Sequence, residues 1–222
     1  LSGVTGWVVK TIYEVVSDGA GNWMFAQGMN VFMSTDDGSS WARVVNFASW
    51  GGTDLSGYTA YSMAYTASRW CVFLRATSNS RVYHAAAADT SAWTIAQVGG
   101  ADATAQAIVS QAARRMAAGD GTVIIVVTND TSRSTDGGQT WTKYTANPPA
   151  AGSLPRVDAR DVATDGLGNW VAVHDSGRVS ISTDDGVNWV EQTGNQGGGN
   201  TNMRFPTGGS NVENLDAIAA NV

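Results

Sequence analysis

Lysine, and charge in general, are scarce in this chain of 222 residues. Only Lys10 and Lys143 are lysines, and the net charge is −6. Because binding to a phosphate backbone requires clustered positive charge, the lack of any basic run argues against a nucleic-acid partner. Charged residues make up 14% of the chain, below the usual share of about a quarter. Such a neutral polar composition is common in exported and virion proteins, so we expect an extracellular or virion location.

The chain also contains few cysteines and no long hydrophobic run. Cys71 is the single cysteine, which excludes a disulfide framework within the chain. It lies in the apolar run Arg69–Leu74 and is predicted to be a small buried hydrophobe rather than a nucleophile. No apolar run approaches the roughly 20 residues that a membrane-spanning helix needs, so we expect no membrane insertion.

Motifs for metals and cofactors are missing as well. The two histidines, His84 and His174, lie far apart in the sequence and have no companion ligands at metal-binding spacing. There is no Gly-x-Ser-x-Gly elbow and no phosphate-cradling loop. The sequence therefore predicts no metal site and no cofactor.

What the chain does contain is a repeat. The signature Ser-Thr-Asp-x-Gly-x-x-Trp occurs three times, at Ser34–Trp41, Ser134–Trp141 and Ser182–Trp189. A worn copy at Asp89–Trp93 keeps the tryptophan, and the four tryptophans are then 52, 48 and 48 residues apart. A second track recurs in phase, with Gly-Asn-Trp at Gly21–Trp23 and Gly168–Trp170 and with Trp70 and Val123 at the matching places between them. Two tracks in phase predict a repeat architecture.

Each repeat is predicted to form four short strands, separated by turn dipeptides such as Asp18-Gly19. In the first repeat the predicted strands are Ile12–Val16, Trp23–Ala26, Asn30–Ser34 and Trp41–Val45, and in the last they are Asp161–Thr164, Trp170–Val173, Arg178–Ser182 and Trp189–Gln192. The alanine-rich stretch Ala101–Ala113 is poorly amphipathic and is predicted to be a long loop. This pattern indicates an all-β fold, a β-propeller with four recognisable four-stranded blades.

We predict a single domain over residues 1–222, with blades at about 12–46, 59–98, 114–145 and 157–193. Segments 1–11 and 214–222 resemble a fourth and a first strand, so the chain ends are predicted to form a partial fifth blade. Two alternatives stay open: the chain is a fragment of a larger propeller, which we favour, or the ring closes with a reduced blade shared by both ends. Unpaired strand edges invite association, so a homo-oligomer or larger assembly is also expected.

The residues of the signature have mechanical roles. The aspartates are expected to accept hydrogen bonds from backbone amides two residues on, the glycines to adopt a positive φ, and the tryptophans to bury a large ring beside the hairpin. The residues predicted to act in this way are Ser34, Asp36, Gly38, Trp41, Ser134, Asp136, Gly138, Trp141, Ser182, Asp184, Gly186 and Trp189. The alternative role for the aspartates is binding of calcium or substrate.

The signature resembles the Asp box, or bacterial neuraminidase repeat, of sialidases, sortilin-type receptors, photosystem assembly factors and several glycoside hydrolases. The resemblance extends over nearly the whole chain as a repeat. It implies an Asp-box β-propeller whose boxes lie at the blade periphery, away from the binding site. It is specific for architecture and uninformative about function, because one fold supports many functions.

Strand alternation assigns the turns to two faces of such a propeller. The boxes and short turns emerge on one face, and the longest connections emerge on the other, where binding usually occurs. The binding residues predicted on the second face are Trp50, Asp54, Tyr58, Arg156, Asp158, Arg160 and Arg204. An aromatic ring beside carboxylates and arginines suits a sugar or an anionic ligand, and we expect the face to bind a glycan or a protein partner. The alternative is that these residues are solvated, with Trp50 and Tyr58 tucked against a neighbouring blade.

The resemblance to sialidases implies three arginines around a substrate carboxylate, a Tyr–Glu nucleophile pair and an Asp acid. The nearest match to the family's Arg-Ile-Pro-like motif, Met203–Pro206, falls near the carboxyl end and has a different residue after Arg204. Glu14 lies on a predicted first strand, which lines the central channel. Carboxylates that could in principle supply a glycosidase pair are Asp54, Asp158, Asp161 and Glu14.

No catalytic residue is assigned on this basis. We expect a non-catalytic recognition or structural propeller on an extracellular or virion (phage-like) protein, which binds a glycan or a protein partner through the long-loop face. The alternative is a sialidase-like or other glycoside hydrolase.

Overall fold

A computed structural model describes residues 11–49, 55–66, 68–76, 80–98, 101–102, 113–127, 130–145, 159–174 and 178–191 of the chain. Apart from one short 3-10 turn at Phe47–Ser49, its regular elements are all β-strands. The strands form four antiparallel four-stranded meanders, which are the blades of a β-propeller. The predicted fold class is therefore confirmed. None of the described residues belongs to a helix long and apolar enough to span a membrane.

The strands follow the repeat closely. Blade 1 consists of β1 (Ile12–Ser17), β2 (Trp23–Gln27), β3 (Asn30–Ser34) and β4 (Ala42–Asn46), and blade 2 of β5 (Thr59–Thr66), β6 (Arg69–Arg75), β7 (Ser80–Ala86) and β8 (Asp89–Ile95). After β9 (Gln97–Val98) and β10 (Ala101–Asp102), blade 3 consists of β11 (Ala113–Ala118), β12 (Val123–Val127), β13 (Asp130–Ser134) and β14 (Thr140–Thr145). Blade 4 consists of β15 (Ala159–Thr164), β16 (Trp170–His174), β17 (Arg178–Ser182) and β18 (Val190–Glu191).

Two of the predicted strands, Asn30–Ser34 and Arg178–Ser182, have the observed bounds. The prediction of a single long loop over Ala101–Ala113 is wrong at both ends. Residues 101–102 form β10, which pairs with β9, and Ala113 begins β11; the positions between them lie outside the described residues. β9 in turn pairs in parallel with β14, so it covers the outer edge of blade 3. Edge strands present unpaired backbone groups, and β9 pairs with those of β14.

The hydrophobic core lies between successive blades. One buried cluster joins blades 1 and 2 and contains Phe32 and Trp93. A second joins blades 2 and 3 and contains Cys71 and Trp141. A third cluster joins blades 3 and 4. The inner strands pack in the order β1, β5, β11 and β15. Within the described residues the four sheets form an arc and do not close into a ring. The predicted partial fifth blade lies outside the described residues apart from position 11, and it stays a prediction, as do the domain limits.

Backbone hydrogen bonds define one face of the arc. In blade 1 the amide of Asp37, in the box, donates to the carbonyl of Gly21, in the β1–β2 turn, over 3.1 Å. The corresponding bonds join the box to the first turn in blades 3 and 4. We call this side, with the β1–β2 type turns and the boxes, the box face. The opposite side, where each second strand ends and the connections enter the next blade's first strand, is the long-loop face.

Candidate functional site

The three boxes share one hydrogen-bond pattern. In blade 1, the Ser34 hydroxyl donates to Asp36 Oδ1 over 2.7 Å and accepts the amide of Gly38 over 2.9 Å. The two oxygens of Asp36 accept the amide and the hydroxyl of Ser40 over 2.8 and 2.6 Å. These donors, the Ser40 hydroxyl foremost, lower the pKa of Asp36 to about 2.

The boxes of blades 3 and 4 repeat these bonds with Thr140 and Asn188 in place of Ser40. The prediction that each aspartate accepts an amide two residues on is wrong. That amide, at Gly38 in blade 1, is taken by the box serine, so the aspartate binds the amide four residues on. The predicted positive φ of the box glycines is confirmed, with values of 83°, 86° and 80°.

The box tryptophans make a recurring bond as well. Each indole N–H donates to the carbonyl three residues before it, from Trp41 over 3.1 Å, Trp141 over 2.9 Å and Trp189 over 3.1 Å. Trp93 of the worn copy makes the equivalent bond to Thr90, over 2.8 Å. The worn copy has therefore kept the tryptophan's structural contact while losing the aspartate and glycine positions.

The boxes also join neighbouring blades. A Cβ added to Gly138 of blade 3 would overlap the sulfur of Cys71 in blade 2, and one added to Gly186 would overlap Ile124 of blade 3. Cys71 is fully buried, which confirms the prediction, and burial raises the pKa of its thiol to about 12. Beside Gly186, the carboxylate of Asp185 accepts a hydrogen bond from Arg133 of blade 3 over 2.8 Å.

The inner strands align in register around the channel. One residue of each inner strand pairs with the position of the second strand that recurs in the repeat: the pairs are Ser17–Trp23, Tyr65–Trp70, Ala118–Val123 and Thr164–Trp170. Three positions before them, the four inner strands place Glu14, Ser62, Arg115 and Asp161. Each inner strand also has a register shift beside this level. The repeat thus places two carboxylates, a hydroxyl and a guanidinium at one level of the channel.

Glu14 is held across three blades at this level. Its Oε2 accepts the Ser62 hydroxyl over 2.7 Å and the Met63 amide over 2.6 Å. The Ser62 oxygen in turn accepts the amide of Met116 over 2.9 Å. Burial raises the pKa of Glu14 from 4.5 to about 7, the negative charge of Asp161 adds to this, and the hydrogen bonds and Arg115 oppose it.

A cavity of about 730 Å³ extends from this level to the box face and is lined by all four inner strands. Glu14 and Asp161 line its deep end, and Asp18 and Asp120 belong to the turns at its rim. The wall between is largely apolar, with Val16, Ala64, Ala117 and Ala163. The expectation that Glu14 lines the channel is confirmed. No group of three or more His, Cys, Asp or Glu side chains that could hold a metal ion occurs among the described residues.

A second pocket, of about 350 Å³, lies at the long-loop face. The described residues that line it are Tyr13, Gly57, Thr59, Tyr61, Arg75 and Ala76, and we call it the tyrosine pocket. The rings of Tyr13 and Tyr61 lie 4.7 Å apart between centroids and are tilted by 36°. The guanidinium carbon of Arg75 lies 4.7 Å from the centre of the Tyr61 ring, and that of Arg115 lies 5.5 Å from it. One ring thus holds two cations by cation–π contact.

The structure describes two of the seven binding residues predicted from the sequence, Tyr58 and Arg160. Trp50, Asp54, Arg156, Asp158 and Arg204 lie outside the described residues. Tyr58 is half-buried against the core of blades 1 and 2, and Arg81 lies over its ring at 5.5 Å. Arg160 is half-buried on β15, beside Asp161. The predicted binding role of these residues stays a prediction.

Tyr13, Tyr61 and Arg75 were not among the binding residues predicted from the sequence. One signal was available, since Tyr13 and Tyr61 are one repeat of 48 residues apart. Arg75 gave no such signal, because it ends a strand that is otherwise apolar.

No protein-family model and no curated protein sequence matches the chain. Solved structures do. A structure of YCF48 bound to D1 peptide has a TM-score of 0.55 at 14% identity, covering 82% of this chain and 53% of that one. The GH74 enzyme of Niastella koreensis has a TM-score of 0.55 at 19% sequence identity, and the match covers 83% of this chain and 24% of the enzyme. The WD40 repeats of RRP9 have a TM-score of 0.59 at 9% sequence identity, and the match covers 86% of this chain and 53% of the RRP9 structure.

This chain thus spans about half of the YCF48 and RRP9 structures and about a quarter of the GH74 structure. At such low identities the likeness shows the fold alone. Together with the four meanders and the inner strands around a channel, it shows that this chain has the fold of a β-propeller.

Proposed function

We propose that this protein is a recognition propeller of the Asp-box kind that binds a glycan through its long-loop face. The tyrosine pocket is the observation that supports this proposal most directly. It is concave, it lies where β1 and β5 begin and β6 ends, and its volume of about 350 Å³ falls within the roughly 300–1,000 Å³ of small-molecule sites. Binding sites of propellers and similar scaffolds are commonly built from loops and strand ends at one face.

The chemistry of the pocket favours a sugar over an apolar ligand. Tyr13 is 40% exposed, so part of its ring is available for stacking. The phenol hydroxyls and the Thr59 hydroxyl are groups that pair with sugar hydroxyls, and Arg75 adds a charged donor. A protein partner at the same face is the other occupant to consider, and the experiment below separates the two.

Membership of the Asp-box group is supported by three boxes with the same serine, aspartate and glycine hydrogen bonds. Display outside a cell or on a virion is supported by composition alone, since only 14% of the residues are charged. Both are part of the proposal. The peptide-bound YCF48 structure and the GH74 enzyme both share the fold with this chain, and the fold does not select between such functions.

A glycan array tests the proposal. The full chain and two variants, Tyr13→Ala and Leu167→Ala, are applied to the same array of neutral and acidic glycans. Leu167 is 86% exposed in the β15–β16 turn on the box face, so Leu167→Ala is a matched loss of an exposed apolar group. We expect the native chain and Leu167→Ala to bind the same glycans and Tyr13→Ala to bind them roughly tenfold more weakly. Absence of glycan binding by the native chain, or equal binding by Tyr13→Ala, would contradict the proposal. A protein partner would then be the remaining candidate for this face.

A second candidate function, glycoside hydrolysis, is favoured by one specific observation. Glu14 and Asp161 line the same cavity, and burial raises the pKa of Glu14 to about 7, near the value that suits a general acid at neutral pH. Such hydrolysis requires two carboxyl groups, and Asp161 is the second one that lines the deep end of this cavity. Arg115, which acts electrostatically on Glu14, adds a cation at the same level.

Hydrolysis of a library of fluorogenic glycosides by the native chain, Glu14→Gln and Glu191→Gln tests this candidate. Glu191 lies on the outer strand β18, paired with Arg178, so Glu191→Gln controls for the loss of one carboxylate. The candidate is supported if the native chain and Glu191→Gln hydrolyse a glycoside and Glu14→Gln does not. No turnover by the native chain, or turnover unchanged in Glu14→Gln, excludes Glu14 as the acid.

A further inference from the structure

We propose that the tyrosine pocket is specific for an acidic saccharide, one whose oxyanion group, a carboxylate or a sulfate ester, pairs with Arg75 while its sugar ring lies against Tyr13. This inference rests on the proposed glycan-binding function and adds the charge of the ligand to it.

The first support is the charge of the pocket. Among the described residues that line it, Arg75 is the one charged side chain, and no carboxylate lines the pocket with it. The ion pairs found in the described part of the chain, Arg133–Asp185 and Arg178–Glu191, do not involve Arg75. Its guanidinium instead lies over Tyr61, at 4.7 Å from the ring centre. A guanidinium held in this way keeps its N–H donors available to a bidentate oxyanion.

The second support is the distribution of carboxylates around Tyr61. Arg115, the other cation on that ring, acts on Glu14, which is held in the channel by Ser62 and Met63. A carboxyl group of the protein itself thus interacts with the cation on the channel side. Arg75 has no such counter-charge among the residues described around the pocket. Two cations on one ring repel each other, and an oxyanion bound at Arg75 would reduce that repulsion.

The third support is the shape of the entrance. Gly57 and Ala76 line the pocket beside Arg75, and neither has a side chain long enough to cover the guanidinium. Nothing lies within 4 Å of where a Cβ of Gly57 would be. Tyr13 and Thr59 complete the wall with hydroxyl groups. The pocket therefore offers a ring for stacking, neutral donors for sugar hydroxyls and one cation, which together match a single acidic sugar residue.

Isothermal titration of the full chain with three disaccharides tests the inference. One is neutral, one contains a uronic acid and one contains a sulfated sugar. We expect the uronic or the sulfated disaccharide, or both, to bind at least about tenfold more tightly than the neutral one, and to weaken with added salt. Whichever of the two binds identifies the source of the oxyanion.

Variants locate the effect. Arg75→Ala should remove the preference, so that acidic and neutral disaccharides bind equally, and Arg75→Lys should restore only part of it because an ammonium cannot bind bidentately. Arg43, exposed on the outer strand β4, is the matched control, and Arg43→Ala should bind as the native chain does. If the neutral disaccharide binds as tightly as the acidic ones and Tyr13→Ala weakens it, the inference is wrong and the proposed function stands. If none of the three binds, the inference is wrong, and the glycan array decides whether the proposed function is wrong as well.

Discussion

The sulfur of Cys71 in blade 2 lies directly against Gly138, the box glycine of blade 3, with no space for a Cβ between them. The φ of Gly138 is 86°, so two independent requirements select glycine at this position. Gly186 of blade 4 meets Ile124 of blade 3 in the same way. The box is therefore both a hairpin closure and a contact between blades, and this explains why its glycine recurs at the repeat spacing.

Replacing Gly138 by alanine tests this double role. Gly138→Ala should lower the free energy of unfolding by roughly 2–4 kcal/mol, because strain at positive φ adds to the overlap with Cys71. Gly121→Ala is the matched control, since its φ is 77° but nothing lies within 4 Å of the added Cβ. Gly121→Ala should lower the free energy of unfolding only by the strain of an alanine at positive φ, roughly 1 kcal/mol. Urea unfolding measures both, and equal losses would show that the contact with Cys71 is unimportant.

The ion pair between Arg133 and Asp185 should couple blades 3 and 4. Arg133 Nη2 lies 2.8 Å from Asp185 Oδ2, and Arg133 Nε donates to the Asp185 carbonyl over 2.6 Å. A double-mutant cycle with Arg133→Met and Asp185→Asn should give a coupling energy of about 1 kcal/mol, since the pair is partly exposed. Coupling indistinguishable from zero would mean that the pair does not hold the blades together.

Trp93 tests whether the worn copy in blade 2 is still a structural box. It is 5% exposed, it packs edge-on against Phe47 at 5.6 Å between ring centres, and its indole donates to Thr90. Trp93→Ala should therefore cost roughly 3–5 kcal/mol of unfolding free energy, as much as Trp141→Ala in an intact box. A loss below about 1 kcal/mol would show that the worn copy has lost its role along with its aspartate.

Glu14 should make stability depend on pH. Its pKa is raised in the folded protein from 4.5 to about 7, so between these values the folded state binds more protons than the unfolded state. Stability is therefore fullest below about pH 4.5 and falls as the pH rises through 7, by up to about 3 kcal/mol from this group. Glu14→Gln should flatten that fall. Urea midpoints at pH 5, 6, 7 and 8 measure it, and parallel profiles for the two proteins would contradict the assignment.

The fold was largely predictable because two features repeat in phase. The tryptophans and glycines of the boxes mark the β3–β4 type hairpins, and Trp23 and Trp170 mark the second strands, so strand positions follow within one or two residues. The short strands β9 and β10 were not predictable. They depend on pairing with β14, which is distant in sequence, and two residues carry no periodicity of their own.

The site was less predictable, for a geometric reason. Each inner strand shifts register near its start, between Ile12 and Val15 in β1 and between Ala60 and Ser62 in β5. A shift of one residue reverses the side to which the following side chains point, so simple alternation does not locate Tyr13 and Tyr61. The long connections, which suggested Trp50 and Arg204, contain no repeat from which a position could be predicted.

The central claim is that this propeller binds an acidic glycan at its long-loop face, opposite the boxes. A crystal structure of the full chain with the acidic disaccharide that binds most tightly tests it most directly. We expect the sugar ring against Tyr13 and its oxyanion within about 3 Å of the Arg75 guanidinium nitrogens. A sugar bound instead in the cavity between Glu14 and the box face, or on the box hairpins themselves, would contradict the account.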